Sequence, residues 1–143
     1  MKIHQISVFM ENRPGQLSHP CRALADAGIN ILTLSLADTQ QFGIMRLIVD
    51  NWQRGMDVLA GKGYLAKATE VAAIEVANEP GGLARILEII ESCEMNIEYM
   101  YAFPCARGDK ALLIFRFDDP DRAISALTGK GAQLVREQDL PTR

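Results

Sequence analysis

The sequence predicts an α+β protein of two βαββαβ units in tandem, residues 1–69 and 70–143, each an antiparallel four-stranded sheet with two helices on one face. Three observations predict it. Part of the chain returns: Asn12, Arg13, Pro14, Gly15 and Leu17 come back 66 positions on as Asn78, Glu79, Pro80, Gly81 and Leu83. Within each copy the apolar residues switch from a period of two to a helical period and back, twice. Turn-forming residues fall between those segments rather than inside them.

Each copy opens on a strand. Ile3, Gln5, Ser7 and Phe9 alternate with His4, Ile6, Val8 and Met10, and Val71 to Ala77 reads the same way. The first helices are predicted to open at Pro14 and Pro80, because Leu17, Cys21, Leu24 and Ala25, and Leu83, Ile86, Leu87 and Ile90, then recur at helical spacing. Gly28 ends the first of them. Hairpins follow: Ile31–Ala37 and Ile44–Asp50 around a turn at 38–43, and Ile97–Phe103 and Ala111–Phe117 around a loop at 104–110. Second helices carry Trp52, Met56, Leu59 and Ala60, and Ala123, Ile124 and Leu127, and last strands are expected after Gly63 and Gly131.

The spacing of 66 extends through Asn30 and Ile31 to Asn96 and Ile97, and pairs Leu47 and Ile48 with Leu113 and Ile114. Gly61, Lys62 and Gly63 return 68 positions on as Gly129, Lys130 and Gly131, which predicts two extra residues near Asp118 to Pro120. Between the last strand of the first copy, near 64–68, and Val71 there is almost no room for a turn. Two readings stay open: one bent strand, or a last strand that completes the other sheet.

Composition narrows the function classes. A net charge of −3 and a pI near 5.4 leave no electrostatic footprint for nucleic acid or an anionic membrane. No run approaches the roughly 18–20 apolar residues of a membrane span, and Met1 and Lys2 lead directly into a strand, so a cytoplasmic protein is expected. Cys21, Cys93 and Cys105 form no paired motif and read as reduced thiols, two within helical apolar patterns and Cys105 in a loop. His4 and His19 have no second ligand at metal spacing, and no nucleophile–base arrangement is legible, so neither catalytic residue, metal nor cofactor is expected. Asp118, Asp119 and Asp121 precede a helix, where carboxylates stabilise without a metal.

The repeated loops suggest ligand chemistry. A helix opening at Pro14 or Pro80 leaves unpaired N–H groups that favour a carboxylate. Gly15, Gly81 and Gly82 remove side chains that would block close backbone approach, and Asn12 and Asn78 offer both donors and acceptors to a zwitterion. The same residues also make a good turn and cap, and Asn30 and Asn96 are equally suited to satisfying backbone at a strand entry. Second strands differ: Leu32, Leu34 and Leu36 back Thr33 and Ser35 in copy one, whereas Tyr99, Tyr101 and Phe103 oppose Glu98, Met100 and Ala102 in copy two. Tyr99 and Tyr101 suit a core or interface, or an apolar ligand group at the seam between units.

Asn12-Arg13-Pro14-Gly15 followed by Gly28-Ile29-Asn30-Ile31 resembles the ACT domain, notably the serine-binding regulatory domain of phosphoglycerate dehydrogenase, and the resemblance covers nearly the whole chain twice. It implies a ferredoxin-like fold, no catalysis, and a regulatory protein binding an amino acid between ACT units. Ligand contacts carry over to Asn12, Gly15 and Asn30, and to Asn78, Gly81 and Asn96. The neighbouring Arg13, Gln16, Leu17, Gly82 and Leu83 complete the candidate set with Tyr99 and Tyr101. Where that relative has a ligand-contacting histidine, this chain has Met10 and Val76. The implied partners are a small molecule, a second copy in a homodimer, and an unidentified regulated enzyme or transporter. A ligand-independent interaction or dimerisation module is the alternative, and a small ferredoxin-like enzyme a further one. An RNA-binding sheet of this topology would need a basic and aromatic third strand, which 44–50 and 111–117 lack.

Overall fold

The computed structural model describes residues 1–38 and 41–142, which form two compact units, His4–Thr69 and Glu70–Pro141, the latter together with Met1–Ile3. In chain order the elements are β1 (Ile3–Glu11), α1 (Ser18–Asp26), β2 (Ile31–Asp38), β3 (Phe42–Val49), α2 (Trp52–Gly61), β4 (Leu65–Ala77), α3 (Gly82–Ser92), β5 (Ile97–Arg107), β6 (Lys110–Phe117), α4 (Pro120–Gly129) and β7 (Gln133–Val135), before a short 3-10 turn at Glu137–Asp139.

In the first unit the strands lie in the order β2-β3-β1-β4, with β2 and β1 both antiparallel to β3. Period-two alternation decides the core face. Ile6, Val8 and Met10 of β1 and Met45, Leu47 and Val49 of β3 point to one side and pack with Leu24 of α1 and Leu59 of α2. Burying each such side chain contributes about 1.5–3 kcal/mol. Gly55 lets α2 settle on the sheet, since a Cβ there would stand 3.0 Å from Ile6 Cδ1.

The second unit repeats the plan. Strand β5 pairs with β6, β6 with β4, and β4 with β7, all antiparallel. Ala72, Ile74, Val76, Phe115 and Phe117 meet Ile86 and Ile90 of α3 and Ala123 and Leu127 of α4. Ala123 holds the place of Gly55, a small residue again where helix meets sheet.

Three expectations are corrected or resolved. The boundary between the copies is one uninterrupted strand, the 13-residue β4, because Lys67 to Glu70 contains neither Gly nor Pro to turn it. The two extra residues enter the β5–β6 hairpin, not the segment near Asp118. Ile6 pairs with Leu47 and Ala72 with Phe115, so Leu47 corresponds to Phe115, 68 positions on, whereas Met100 still matches Leu34 at 66. The ladder breaks between Phe103 and Arg107, where Pro104 has no N–H to contribute, so strand β5 runs as a bulge through much of the predicted loop. The side chain of Cys105 lies outside the described residues, as do Thr39 and Gln40 of the first hairpin.

The first helices open later than the prolines. Helix α1 begins at Ser18 and α3 at Gly82, because Gly15 (φ 87°) and Gly81 (φ 86°) are left-handed and cannot belong to a right-handed helix. Pro20 adds to the delay in α1. It lacks the N–H that would bond Gln16 O, while its counterpart Ile86 keeps one. Helices α2 and α4 start as capped helices should, with Asn51 Oδ1 accepting from Arg54 N and Asp119 Oδ1 from Arg122 N, each 3.2 Å. Asp119 is thus a cap, and Asp121 pairs with Lys2 at 3.0 Å.

Candidate functional site

The β1–α1 loop of the first unit bounds a cleft. Main-chain bonds fix the loop: Asn12 N donates to Gln41 O at 3.0 Å, Arg13 N to Glu11 O at 3.0 Å, and Gln16 N to Arg13 O at 3.2 Å. Met10 and Gly43 are paired across the ladder and Leu36 stands on β2 beyond, on the helix side of the sheet. With Glu11, Asn12, Arg13, Gln16 and Leu17 they enclose about 110 Å³. Glu11, Asn12, Arg13 and Gln16 make its polar rim, and the rest of its lining is apolar or glycine.

The rim carries both signs of charge. Arg13 Nε lies 2.9 Å from Glu11 Oε2, with both side chains more than half exposed. An exposed pair of this kind is worth about 0–1 kcal/mol, so either partner exchanges readily for a ligand group of the same sign. Helix α1 has no side-chain cap at its start, unlike α2 and α4; of its first N–H groups, His19 N already donates to Gly15 O at 3.1 Å and Pro20 has none. His19 packs against Gly15, where a Cβ would meet the imidazole at 3.2 Å. His4 stacks on Trp52 with ring centroids 4.2 Å apart. A wider groove of about 500 Å³ shares Met10, Glu11 and Gln16 with the cleft and continues past Phe9, Phe42, Lys62, Tyr64 and Leu65.

Asn30 does not join Asn12 within this unit. Strands β1 and β2 both run antiparallel to β3, so Asn12 follows the end of one and Asn30 precedes the start of the other. The Glu11↔Phe42 and Ile31↔Val49 pairs lie at opposite ends of β3, roughly 23 Å apart at about 3.3 Å per residue. Asn30 serves the turns there: its N–H donates to Asp50 Oδ1 at 3.2 Å and its carbonyl accepts from Asp50 N at 3.1 Å.

In the second unit the loop has the same main-chain bonds, with Asn78 N on Asp109 O at 3.0 Å, but a different fit. Gly82 is buried against the end of β4, and a Cβ built on it would stand 1.9 Å from the Ala77 carbonyl oxygen. Its missing side chain therefore makes room for the chain itself. The counterpart Gln16 carries a Cβ, which a loop packed that tightly cannot accommodate. Arg85 closes the exposed side by pairing with Glu79 at 2.5 Å, and it also lies against Gly81. Leu83 is exposed on α3, and Asn96 precedes β5 at the sheet end away from Asn78, its carbonyl accepting from Asp118 N at 3.4 Å. Tyr99 and Tyr101 are half-buried beside Arg116 and Ile114, on the face away from the helices.

Sequence reasoning thus named Asn12, Arg13, Gly15, Gln16 and Leu17 on one loop but missed Glu11, Leu36 and Gly43. Glu11 adjoins the loop in sequence, whereas strand pairing brings Leu36 and Gly43 to it, and the ladder register was the missing signal. Among the described residues no group of His, Cys, Asp and Glu gathers as for a metal, and no helix is long and apolar enough to cross a membrane.

The sequence matches the family described as ACT domain pair over residues 1–143. Among solved structures, protein BT0572 from Bacteroides thetaiotaomicron is similar with a TM-score of 0.93 and 32% identity, covering 100% of this chain and 98% of that one. The regulatory subunit of aspartate kinase from Thermus thermophilus aligns with a TM-score of 0.62 and 19% identity, over 88% and 91% of the two chains. Its counterpart from Thermus flavus aligns at 0.60 and 18%, over 90% and 93%. At those identities the two subunits share the fold. No curated protein matches the sequence.

Proposed function

This chain belongs to the ACT domain pair family, and on that premise we propose that it is a cytoplasmic regulatory protein that binds an amino acid in the first-unit cleft and acts without catalysis of its own. The single observation that carries the proposal is the juxtaposition of Glu11, Arg13 and Asn12 at the rim of one small cleft. A zwitterion has an ammonium for Glu11 and a carboxylate for Arg13, while the Asn12 amide can bond to either group. Aspartate kinase regulatory subunits share this fold and are regulatory by name, which agrees with such a role.

Gly15 keeps the loop turned towards the ligand, and Gln16 and Leu17 wall it. Asn30, Asn78, Gly81, Gly82, Leu83, Asn96, Tyr99 and Tyr101 are outside this proposed contact set. Isothermal calorimetry against the twenty amino acids tests the reading. One of them should bind, and Asn12→Ala should weaken it at least tenfold while Asn78→Ala changes it less than threefold. Absence of binding by every amino acid would sink the proposal.

A ligand-free dimerisation module is the second reading, favoured by β2. It lies at the sheet edge of the first unit with Leu34 and Leu36 about half exposed. Sedimentation of Leu34→Lys, with amino acid absent, separates the two: loss of a dimer supports assembly through this strand.

A further inference from the structure

The first-unit cleft has a chemical preference written into its walls, and this inference rests on the reading just given. We infer that the ligand is an amino acid with an aliphatic side chain, and that the missing side chain of Gly43 makes part of the room for it. Charge complementarity at the Glu11–Arg13 rim identifies the zwitterionic end. The rest of the lining is Met10, Leu17, Leu36 and the bare backbone of Gly43. Against those walls a Ser, Asp or Lys side chain would lose hydration without gaining a partner.

The cleft as a whole, its polar residues included, offers about 110 Å³. Each methylene buried against its apolar walls is worth about fourfold in affinity, so the two or three carbons that valine, leucine or isoleucine add to alanine are worth on the order of tenfold or more.

Gly43 is the position at which that room can be changed. A Cβ on it would lie 3.6 Å from Met10 Cγ and 3.8 Å from Leu36 Cδ1, ordinary contact distances, and its backbone is not left-handed. An alanine methyl therefore fits the protein and occupies the cleft. The same position in the second unit is Ala111, and Leu36 is replaced there by Ala102.

Calorimetry with L-Ala, L-Val, L-Leu, L-Ile, L-Met, L-Ser, L-Asp, L-Lys and L-Phe tests this on the full chain and on Gly43→Ala. The wild type should prefer Val, Leu, Ile or Met. Gly43→Ala should weaken the longest of the bound ligands at least tenfold and L-Ala or L-Val less than threefold, with the unfolding midpoint unchanged. A polar, charged or aromatic amino acid that binds best and is lost in Asn12→Ala would overturn the aliphatic preference while leaving amino-acid binding intact. Equal weakening of all ligands by Gly43→Ala would overturn the role given to Gly43. If no amino acid binds at all, both readings fall together.

Discussion

Gly82 lies so close to Ala77 that a Cβ on the glycine would stand 1.9 Å from the alanine's carbonyl oxygen. Backbone, not a flexible side chain, is the obstacle, so Gly82→Ala must push the start of α3 off the end of β4. The expected cost is about 2–3 kcal/mol, measured as a fall in the urea midpoint. Gln16→Ala, at the equivalent loop position of the first unit, should cost less than about 0.5 kcal/mol. Similar losses for both would contradict the different fit of the two loops.

Glu94 holds at the end of α3 the place that Gly28 holds at the end of α1, with φ of 55° and 73°. At Gly28 the left-handed residue lets Ile29 N reach Leu24 O at 2.9 Å and close the helix. An L-residue pays about 1–2 kcal/mol in that conformation, and glycine returns part of it as unfolded-state entropy. Glu94→Gly should therefore stabilise the protein by about 0.5–1 kcal/mol in equilibrium unfolding. A destabilised variant would show that the glutamate side chain compensates for its backbone.

Asn51 and Asp119 are equivalent caps at the starts of α2 and α4. Asn51→Ala and Asp119→Ala should each lose about 1 kcal/mol. Ser18→Ala, where α1 starts without a side-chain cap, should stay within about 0.5 kcal/mol. Chemical denaturation of the three variants side by side gives the comparison, and an equal loss in all three would remove the distinction between capped and uncapped helices.

Burial pushes the Cys21 thiol above its ordinary value. The neutral form is the one the fold favours, so this contribution to stability is complete below the ordinary thiol range and is lost as pH rises through the elevated value. At pH 8 the native protein should hold less Cys21 thiolate than the unfolded chain. Iodoacetamide should alkylate Cys21 more slowly in buffer than in urea, resolved from the other cysteines by peptide mass mapping. Equal rates would count against it.

The parts of the fold that local chemistry governs were legible in the sequence. The duplicated loops, the glycines at 28, 63 and 131 and the alternation of Ile6, Val8 and Met10 all announce their elements. What local chemistry does not govern was not. Leu113 and Ile114 mimic Leu47 and Ile48 because both are adjacent apolar residues in a strand, so the position of the two extra residues emerged only from ladder register. Pro at a helix start favours an opening of α1 at Pro14, while Pro20 and the left-handed Gly15 both argue for a later start. The candidate site was half legible: its loop is contiguous in sequence, whereas Leu36 and Gly43 reach it across the sheet. The separation of Asn12 from Asn30 was implicit in the topology, since a strand that leaves one end of a sheet and a parallel one that enters must do so at opposite ends.

Each hairpin tip is fastened to its neighbouring loop by one main-chain hydrogen bond, Gln41 O to Asn12 N and Asp109 O to Asn78 N. For anyone building an optical biosensor from this scaffold, that fastening is an attachment point. A solvatochromic dye on a cysteine introduced at Gln41 would sit outside the cleft yet one hydrogen bond from Asn12, the residue proposed to hold the ligand, and the matching dye at Asp109 would serve as the internal reference channel.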